Sequence, residues 1–515
     1  MFDSQGGERL QRVVIPINFR PILLCALSLM AGIILCRHYL ILGVWTVLAP
    51  AIVILAICVL FLCLVGKDKR LTVVMTSAFC FLFLSIGMVS FWAKINATVK
   101  DVPKDGYYTV RGEVSDVYYK QGLWYATLTD CTYDGVLGSD FFTYGLDCEV
   151  KLYDIIEIKS IVASDKLGEG TKLSYRILNG WPTYARKVYS CKVVGKSTSI
   201  ASRFKILTDQ KFKSVLGEDS GILSALLRGD DSEMKETVTL FRLVGIAHIF
   251  AVSGMHVGLV FTALSFLLGK IKINRIIKTL IIAGALVFYS YLCGFTPSSL
   301  RAVIMCICLM LSKFFGEKHD GLNALAEAFI IVLLINAVDL FSAGFILSFS
   351  ICLSILILSP PIKRVLSFMP EEFASLFSVL FASQLTALPL SIWFFGSFPL
   401  ASFIANFFLL PIVSILYYAT VICTIIAMIL PINELIALFV PQILTVGIKN
   451  VTELIAKFPL NLTYMTKALM IGYYTLLFGV SDIINLPKKA KFSCGVLVLT
   501  LLFYLSMRSF FGVPV

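Results

Sequence analysis

Runs of about twenty apolar residues recur at both ends of the chain, and a more polar section lies between them. A run of this length is what a helix needs to cross the hydrocarbon core of a bilayer. The pattern predicts a polytopic α-helical membrane protein with about 10–13 transmembrane or re-entrant helices. The expected spans are 20–38, 41–65, 71–93, 247–269, 276–294, 298–315, 322–338, 341–359, 374–396, 399–427, 465–485 and 492–511.

Two further segments predict helices that differ from these spans. Residues 234–245 carry polar and apolar faces at helical spacing, which is typical of a helix lying in the membrane interface. Residues 432–458 contain Pro441 and predict an interfacial or kinked helix.

The polar section alternates apolar and polar residues, as half-buried strands do. The alternating runs are YYTVRGEVSDV (107–117), GLWYATLTDC (122–131), YDIIEIKSIVA (153–163) and RKVYSCKVV (186–194). They predict a small β-barrel, for which an OB-fold is the natural candidate. Periodicity alone allows an unspecialised β-domain equally well. The expected domains are 1–93 with three helices, 94–217 with the barrel, and 218–515 with the helical membrane domain.

Composition supports a membrane protein and indicates its orientation. Hydrophobic residues make up 58% of the 515 residues and charged residues 15%, where a soluble domain is nearer a quarter charged. Arg9, Arg12 and Arg20 precede the first span, and the basic link GKDKR (66–70) follows the second. Positive residues favour the cytoplasmic side, so we expect a cytoplasmic N-terminus, no cleaved signal peptide and a barrel outside the inner (cytoplasmic) membrane.

The net charge of +12 leaves open which partner the chain binds. Lys and Arg outnumber Asp and Glu between Lys151 and Lys213, and aromatic residues lie among them. Cations and exposed aromatic faces are what single-stranded nucleic acid requires, although a solvated surface over core aromatics explains the same residues. The candidate DNA-binding residues are Lys172, Arg176, Trp181, Tyr184, Arg186 and Lys187.

The fourteen cysteines predict neither a metal site nor a cofactor. No CxxC pair exists, and VVGKSTS (193–199) lacks the first glycine of a phosphate-binding loop. Three cysteines fall in the exported section, where a disulfide is plausible. Cys148 and Cys191 are the preferred pair, which leaves Cys131 over.

The segment IAHIFAVSGMHVGLV (246–260) places ionisable residues in an apolar run. A helix over 247–269 puts Ser253 and His256 on one face and His248 at its border, and Gly254 begins a GxxxG pair. Such groups face a bundle interior or a wet cavity. Helix-packing hydrogen bonds and a polar passage both remain open.

A second polar island is GFTPSSLRAVI (294–304). Thr296 is suited to the N-cap and Pro297 to the first helical position, so Ser298 and Arg301 project from the first turn. This arrangement suits an anion, but an arginine reaching to the interface explains it too. Gln384 and Asn406 are further polar residues in apolar runs, where Pro389 and Pro411 free backbone groups.

These motifs, in this order, resemble the ComEC family of DNA-internalisation channels. ALLRGDDSEMKETVTLFRLVGIAHIFAVSGMHVGLV is similar to the family form "G…HLLAISGLHVGL", and GFTPSSLRA to "G-x-S-P-S-x-x-R-A" with Thr296 replacing Ser. LNALAEAFIIVLLINAVDLFSAGFILSFS and ASQLTALPLSIWFFGSFPLASFIANFFLLPIVS match later blocks. Ile346 departs from the family, which commonly has Gln there, and this argues against a pore role for that position.

The resemblance implies transport of single-stranded transforming DNA across the cytoplasmic membrane, with the barrel engaging DNA and the bundle forming the channel. The implied channel residues are His248, Ser253, Gly254, His256, Ser298, Arg301, Gln384 and Asn406. The implied partners are single-stranded DNA, membrane lipid, DNA-receptor and pilus-type proteins outside, a cytoplasmic helicase or DNA-coating proteins, and a separate nuclease.

No HxHxDH motif and no ATPase motif occur, so we expect a short-form member without enzymatic activity or the family's C-terminal metallo-β-lactamase-like domain. A secondary transporter of a small anion is the alternative, because it would also explain buried His, Ser and Arg. A hydrolase using Ser253 and His256 would lack an orienting third group.

Overall fold

The computed structural model describes most of the chain between Pro21 and Leu501. The described ranges are 21–42, 67–100, 102–120, 123–146, 148–164, 182–229, 237–250, 252–316, 320–429, 438–457 and 465–481, with short pieces at 177, 318, 461–463, 487, 490–491, 493–498 and 500–501. The described helices are α1 Pro21–Leu42, α2 Lys67–Lys100, α3 Ile200–Leu216, α4 Ser220–Arg228, α5 Thr237–Val244, α6 Gly254–Gly269, α7 Arg275–Leu292, α8 Pro297–Phe315, α9 Gly321–Ile335, α10 Ala343–Val365, α11 Glu371–Phe395, α12 Ala401–Ile429, α13 Phe439–Ala456 and α14 Lys467–Val480.

The polar section folds into a closed five-stranded barrel, to which a short sixth strand, β3, is added. The strands are β1 Gly106–Lys120, β2 Leu123–Tyr133, β3 Val136–Leu137, β4 Phe141–Leu146, β5 Asp154–Ser164 and β6 Thr183–Lys196. Strand β1 pairs with both β2 and β5, and the ring is completed by β2–β4, β4–β6 and β5–β6 pairs, of which only the β4–β6 pair is parallel. This is the Greek-key order of an OB-fold, as predicted. Two-residue strands also occur in the helical part, β7 Phe398–Pro399 and β8 Asn461–Leu462.

Alternation along the strands fills the barrel with apolar side chains. Val110, Leu128 and Ile158 are fully buried, and their neighbours along each strand point outward. The Tyr133 hydroxyl donates to the Ser139 carbonyl oxygen at 2.8 Å, so the polar end of this core ring is satisfied. Cys148 and Cys191 form a disulfide with their Cα atoms 6.3 Å apart.

Cys131 is a free thiol, fully buried in the barrel core. Burial raises the pKa of this thiol well above its ordinary value, because the charged thiolate would lose its hydration. The residue therefore behaves as a small core hydrophobe.

The remaining chain is helical and suited to a bilayer. Seven of the described helices are long and apolar enough to cross a membrane: Pro21–His38, Met75–Val99, Arg275–Leu292, Pro297–Phe315, Ala343–Val365, Glu371–Phe395 and Ala401–Ala427. Three shorter apolar helices, α6, α9 and α14, accompany them among the described residues. The chain is a multi-pass membrane protein with a small barrel, as the apolar pattern predicts.

The described residues divide between two compact units. The larger unit comprises Ile22–Cys352 and Phe398–Asn461, and so contains the barrel. The smaller unit takes its described helices from Leu353–Ser397 and from the chain after Leu462. The boundary predicted at residue 94 falls inside α2, which runs to Lys100 before the first strand begins.

One helix start differs from the sequence prediction, and another predicted segment is described only in part. The predicted helix 247–269 begins only at Gly254, and Ala247–Ile249 form a separate 3₁₀ turn. His248 is therefore not on the α6 face with His256, because the chain turns between them. Of the predicted 432–458 segment, residues 432–437 lie outside the described residues. The described part contains α13, which starts at Phe439, so Pro441 lies in its first turn, where the missing N–H costs nothing.

Candidate functional site

Helix α8 presents Arg301 from its first turns, as its start signals predict. Thr296 caps the helix by accepting from the Ser299 amide at 3.4 Å, and Pro297 takes the first helical position. The Ser298 hydroxyl donates to the Val252 carbonyl oxygen at 2.6 Å, which ties the start of α8 to the segment preceding α6. The starts of these two helices are thus held side by side in the larger unit.

The Arg301 guanidinium lies against the start of α6. A methyl group added at Gly254 would come within 2.4 Å of Arg301 Nη2, so a larger residue there would displace the guanidinium from this position. On the α10 side, Arg301 Nη1 donates to the Ser348 carbonyl oxygen, and the guanidinium carbon lies 5.9 Å from the centre of the Phe349 ring.

No carboxylate among the described residues pairs with Arg301, and its buried Nε–H has no hydrogen-bond partner. An uncompensated cation is costly in an apolar bundle and is retained where an anion or water meets it. The site therefore has a positive charge to offer to a ligand.

His256 lies in the first turn of α6, two residues after Gly254. The backbone N–H of Ser253 donates to His256 Nδ1 at 3.2 Å, and the Ser253 hydroxyl lies at the same distance from that nitrogen. A ring nitrogen that accepts a backbone N–H carries no proton, so this geometry assigns a neutral imidazole with its proton on Nε2. That Nε2 is buried without a partner, in a side chain that is 0% exposed.

An aromatic ring and a helix N-terminus lie next to His256. The Tyr417 ring of α12 meets the imidazole edge to face, with ring centres 5.0 Å apart. The start of α6 also supplies backbone donors, because the first N–H groups of a helix have no acceptor within it. The amide of His256 bonds to the Ser253 carbonyl oxygen at 3.1 Å.

Arginine, imidazole N–H and a helix N-terminus all favour a negatively charged oxygen. The sequence identified Arg301, His256, Ser253, Gly254 and Ser298 as separate candidates, and the structure brings these five to one place. It did not identify the Ser348 carbonyl or Tyr417, since neither a backbone acceptor nor a core tyrosine carries a motif.

The other predicted channel residues lie elsewhere. Asn406 is buried on α12 and donates to the Ser402 carbonyl at 2.8 Å. It is eleven residues from Tyr417, which is about 16 Å along a helix. His248 is exposed on its 3₁₀ turn. Gln384 is buried on α11 in the smaller unit.

The predicted DNA-binding residues lie at the start of β6 and before it. Lys172, Arg176 and Trp181 fall outside the described residues. Arg186 and Lys187 are exposed, and Arg186 Nη2 lies 3.5 Å from Asp105 Oδ2. Tyr184 is half-buried beside them. Among the described residues, no three His, Cys, Asp or Glu side chains are grouped as metal ligands.

Comparisons with known proteins agree on the helical region. A family model described as "Competence protein" matches residues 226–488, just over half of the chain. "ComE operon protein 3" of Bacillus subtilis (strain 168) is 29% identical over 216 residues, which are 41% of this chain and 27% of that protein. The match thus spans about a quarter of that relative's length. No solved structure matches the chain.

Proposed function

The chain belongs to the ComEC family of competence proteins, and from that premise we propose that it carries single-stranded DNA across the cytoplasmic membrane during natural transformation. The helical domain forms the path, and the barrel meets DNA outside the membrane. The chain acts as a transporter.

One observation carries this proposal: an arginine with no counter-ion among the described residues lies beside a neutral histidine at a helix start inside the family-matched region. A phosphodiester brings one negative charge and oxygens that accept N–H groups. Arg301 supplies the fixed charge, His256 Nε2 a neutral donor, and the α6 amides further donors. One charge per site binds weakly enough for a polymer to keep moving.

The proposed orientation places the N-terminus in the cytoplasm and the barrel outside. It is supported by the basic residues before α1 and in the 66–70 link, and by a disulfide in the barrel, since disulfides persist in oxidising compartments. The proposed partners are a DNA receptor and pilus-type proteins on the outside and, on the inside, a helicase or DNA-coating proteins that pull the strand.

The test is entry of labelled DNA into cells that depend on this chain for transformation. Arg301→Gln removes the fixed charge of the site, and we expect entry to fall about tenfold or more, since a hydrogen bond to a charged group contributes roughly 1.5–3 kcal/mol. Arg275→Gln, at the exposed start of α7, is the control. Normal entry with Arg301→Gln at normal membrane levels would contradict the assignment.

Two variants isolate the histidine donor. Asn at position 256 keeps an acceptor where Nδ1 accepts the Ser253 amide but removes the Nε2 donor, whereas Gln restores a donor near Nε2. We expect His256→Asn to fold and to lose entry, and His256→Gln to keep more of it. Equal entry in both variants would show that Nε2 plays no part.

A transporter of a small anion remains the second candidate, because one arginine and one imidazole suit a single anion as well as a polymer. The barrel favours DNA, because transport of a small anion does not explain a basic β-domain. Loss of a solute's uptake with DNA entry unchanged in Arg301→Gln would favour the small anion.

A further inference from the structure

The outer wall of the barrel formed by β1, β5 and β6, here called the basic wall, exposes a pair of tyrosines. Tyr107 on β1 is 57% exposed and Tyr189 on β6 is 53% exposed, although tyrosine rings are usually at least half covered. Their ring centres lie 5.7 Å apart in an edge-to-face arrangement. The two rings thus form one aromatic platform that spans three strands.

Cations surround this platform. Lys187 Nζ lies 5.0 Å from the centre of the Tyr189 ring. The strand register sets Arg111 opposite Glu157 and Glu157 opposite Lys192, and Lys159 lies opposite Ser190. Arg111, Lys159 and Lys192 are exposed, and none of them has an ion-pair partner among the described residues. The wall therefore carries a net positive charge that the described part of the protein leaves largely uncompensated.

The opposite wall, formed by β2 and β4, is aromatic but not basic. Tyr125 and Phe142 lie 6.5 Å apart there, and Tyr144 is 40% exposed. Neither strand contains a Lys or Arg, and β2 contributes Asp130. Both walls expose aromatic rings, but of the two only the basic wall adds positive charge that attracts a polyanion.

We propose that the basic wall is a binding surface for single-stranded DNA, on which bases stack against Tyr107 and Tyr189 while Arg111, Lys159 and Lys192 meet the phosphates. This inference rests on the proposed function and names the face of the barrel that performs it. Unpaired bases have exposed rings that stack on tyrosine without regard to sequence, which suits a protein that takes up any DNA. A duplex hides its bases and would use only the cations.

The first experiment measures binding of a short fluorescent oligothymidylate to the full chain in neutral-lipid nanodiscs. We expect Tyr189→Ala to weaken binding about tenfold, since stacking contributes strongly for each base, and Tyr189→Phe to bind like the unmodified chain because the ring remains. The matched control is Tyr144→Ala, which removes an exposed tyrosine from the β2–β4 wall. It should bind normally.

The salt dependence of the same binding reports the cations. Replacing Lys159 and Lys192 together with Gln should lower the slope of log affinity against log salt by about 0.7 for each phosphate that the variant no longer neutralises. Tyr189→Ala should weaken binding without changing that slope. An unchanged slope in the Lys159 and Lys192 double variant would overturn the phosphate contacts.

Photo-crosslinking separates DNA from lipid as the occupant, because anionic headgroups could meet the same cations. A benzoylphenylalanine placed at position 189 of the full chain, in nanodiscs with anionic lipid, should crosslink to the oligothymidylate, and one at position 144 should not. Crosslinks from position 189 to lipid alone would overturn the inference.

The failure of the inference differs from failure of the proposed function. If the unmodified chain binds DNA, and Tyr144→Ala weakens that binding while Tyr189→Ala does not, the basic wall is not the binding surface but the barrel still binds DNA. If the unmodified chain binds no oligothymidylate, both the wall and the barrel's part in transport are wrong.

Discussion

Arg301 owes its position to small groups on either side of it. Gly254 contributes no side chain, and the Ser348 carbonyl accepts one N–H, so the guanidinium is held without being neutralised. A carboxylate at either place would have produced a buried ion pair, which is self-contained and binds little else. The geometry thus keeps the charge available, and the GxxxG glycine that suggested helix packing serves here to admit an arginine.

Gly254→Ala tests this contact directly. The added methyl group would come within 2.4 Å of Arg301 Nη2, so the guanidinium must move. We expect DNA entry to fall as far as in Arg301→Gln, with the protein still reaching the membrane. Gly258→Ala is the control, since a methyl group there meets nothing within 4 Å. Equal entry in the two alanine variants would show that Arg301 does not depend on Gly254.

A half-buried carboxyl in the barrel gives a pH-dependent prediction. Burial, with a smaller contribution from nearby Asp130, raises the pKa of Asp140 to about 6 against the opposing charge of Lys94. A raised folded pKa means that the folded barrel binds this proton more tightly, so the stabilisation is full below about pH 4 and is lost as the pH rises through 6. Because the group keeps some contact with solvent, Asp140→Asn should stabilise the barrel at pH 7.5 by only about 1 kcal/mol and change little at pH 4.

Cys131 supplies the measurement, because its buried thiol reacts only when the barrel opens. Peptide mapping of alkylated full-length chain gives the rate at that residue. The ratio of rates between Asp140→Asn and the unmodified chain should fall as the pH rises from 4 to 7.5. A ratio that does not change with pH would contradict the role of Asp140.

At the scale of single residues, the sequence predicts a helix start where the signal comes from neighbouring residues alone. Thr296 and Pro297 mark the start of α8 through cap and ring chemistry that needs no tertiary context. The start of α6 was misplaced because apolar residues continue across Ala247–Ile249. Hydropathy cannot distinguish a 3₁₀ turn from a helix, although Ser253 with His256 three residues later had the spacing of a capping box.

Helix α11 shows how an element tolerates a proline in a membrane. Pro389 has no N–H, so the Leu385 carbonyl four residues earlier loses its helical partner. Tyr473 of α14 replaces the missing donor, since its hydroxyl donates to the Leu385 oxygen at 2.9 Å, and Tyr474 donates to the neighbouring Thr386 oxygen at 2.7 Å. The carbonyl freed by Pro389 is thus satisfied by protein, which is what a freed backbone group needs at membrane depth.

A double-mutant cycle tests this pairing. Tyr473→Phe leaves the Leu385 carbonyl without a donor and should destabilise the chain by about 1 kcal/mol. In a Pro389→Ala background the alanine N–H takes over that carbonyl, so the same change should cost much less. The measurement is unfolding in mixed micelles. Equal costs in both backgrounds would show that Tyr473 acts through packing alone.

Strands along which apolar and polar residues alternate clearly are predictable from the sequence, and the other strands are not. Four of the six strands of the barrel domain alternate over nine or more residues and were found from that alternation. Strand β4, FFTYGL, is short, opens on two phenylalanines and was missed. The tyrosine donors to α11 were invisible because they come from α14, nearly ninety residues away in sequence.

At the scale of the whole molecule, the barrel is joined to the helical part of the chain by one helix on each side. The barrel follows α2 directly and returns to the bundle through α3, whose Lys205 and Thr208 are buried. The Arg228–Asp209 ion pair, 2.6 Å long and almost fully buried, joins α4 to α3. The pair holds α4 against α3, the first helix after the barrel.

The proposed orientation is the remaining property of the whole molecule, and two independent physical effects support it. Basic residues at 66–70 favour the cytoplasm, and the Cys148–Cys191 disulfide favours an oxidising exterior. Helix α2, which is long and apolar enough to cross a membrane, connects the two. Either effect alone could be overridden by later spans, whereas together they favour α2 with its start inside and its end outside.

Labelling in intact cells tests this orientation. Val136→Cys lies on the 70%-exposed tip of the β2–β3 hairpin and should react with a membrane-impermeant maleimide. Asp68→Cys, which leaves every cation of the basic link in place, should react only after the cells are permeabilised, and peptide mapping separates both from the native cysteines. The reverse pattern would place the barrel in the cytoplasm, where it could meet DNA only after transport, and the basic wall would then receive the strand instead of delivering it.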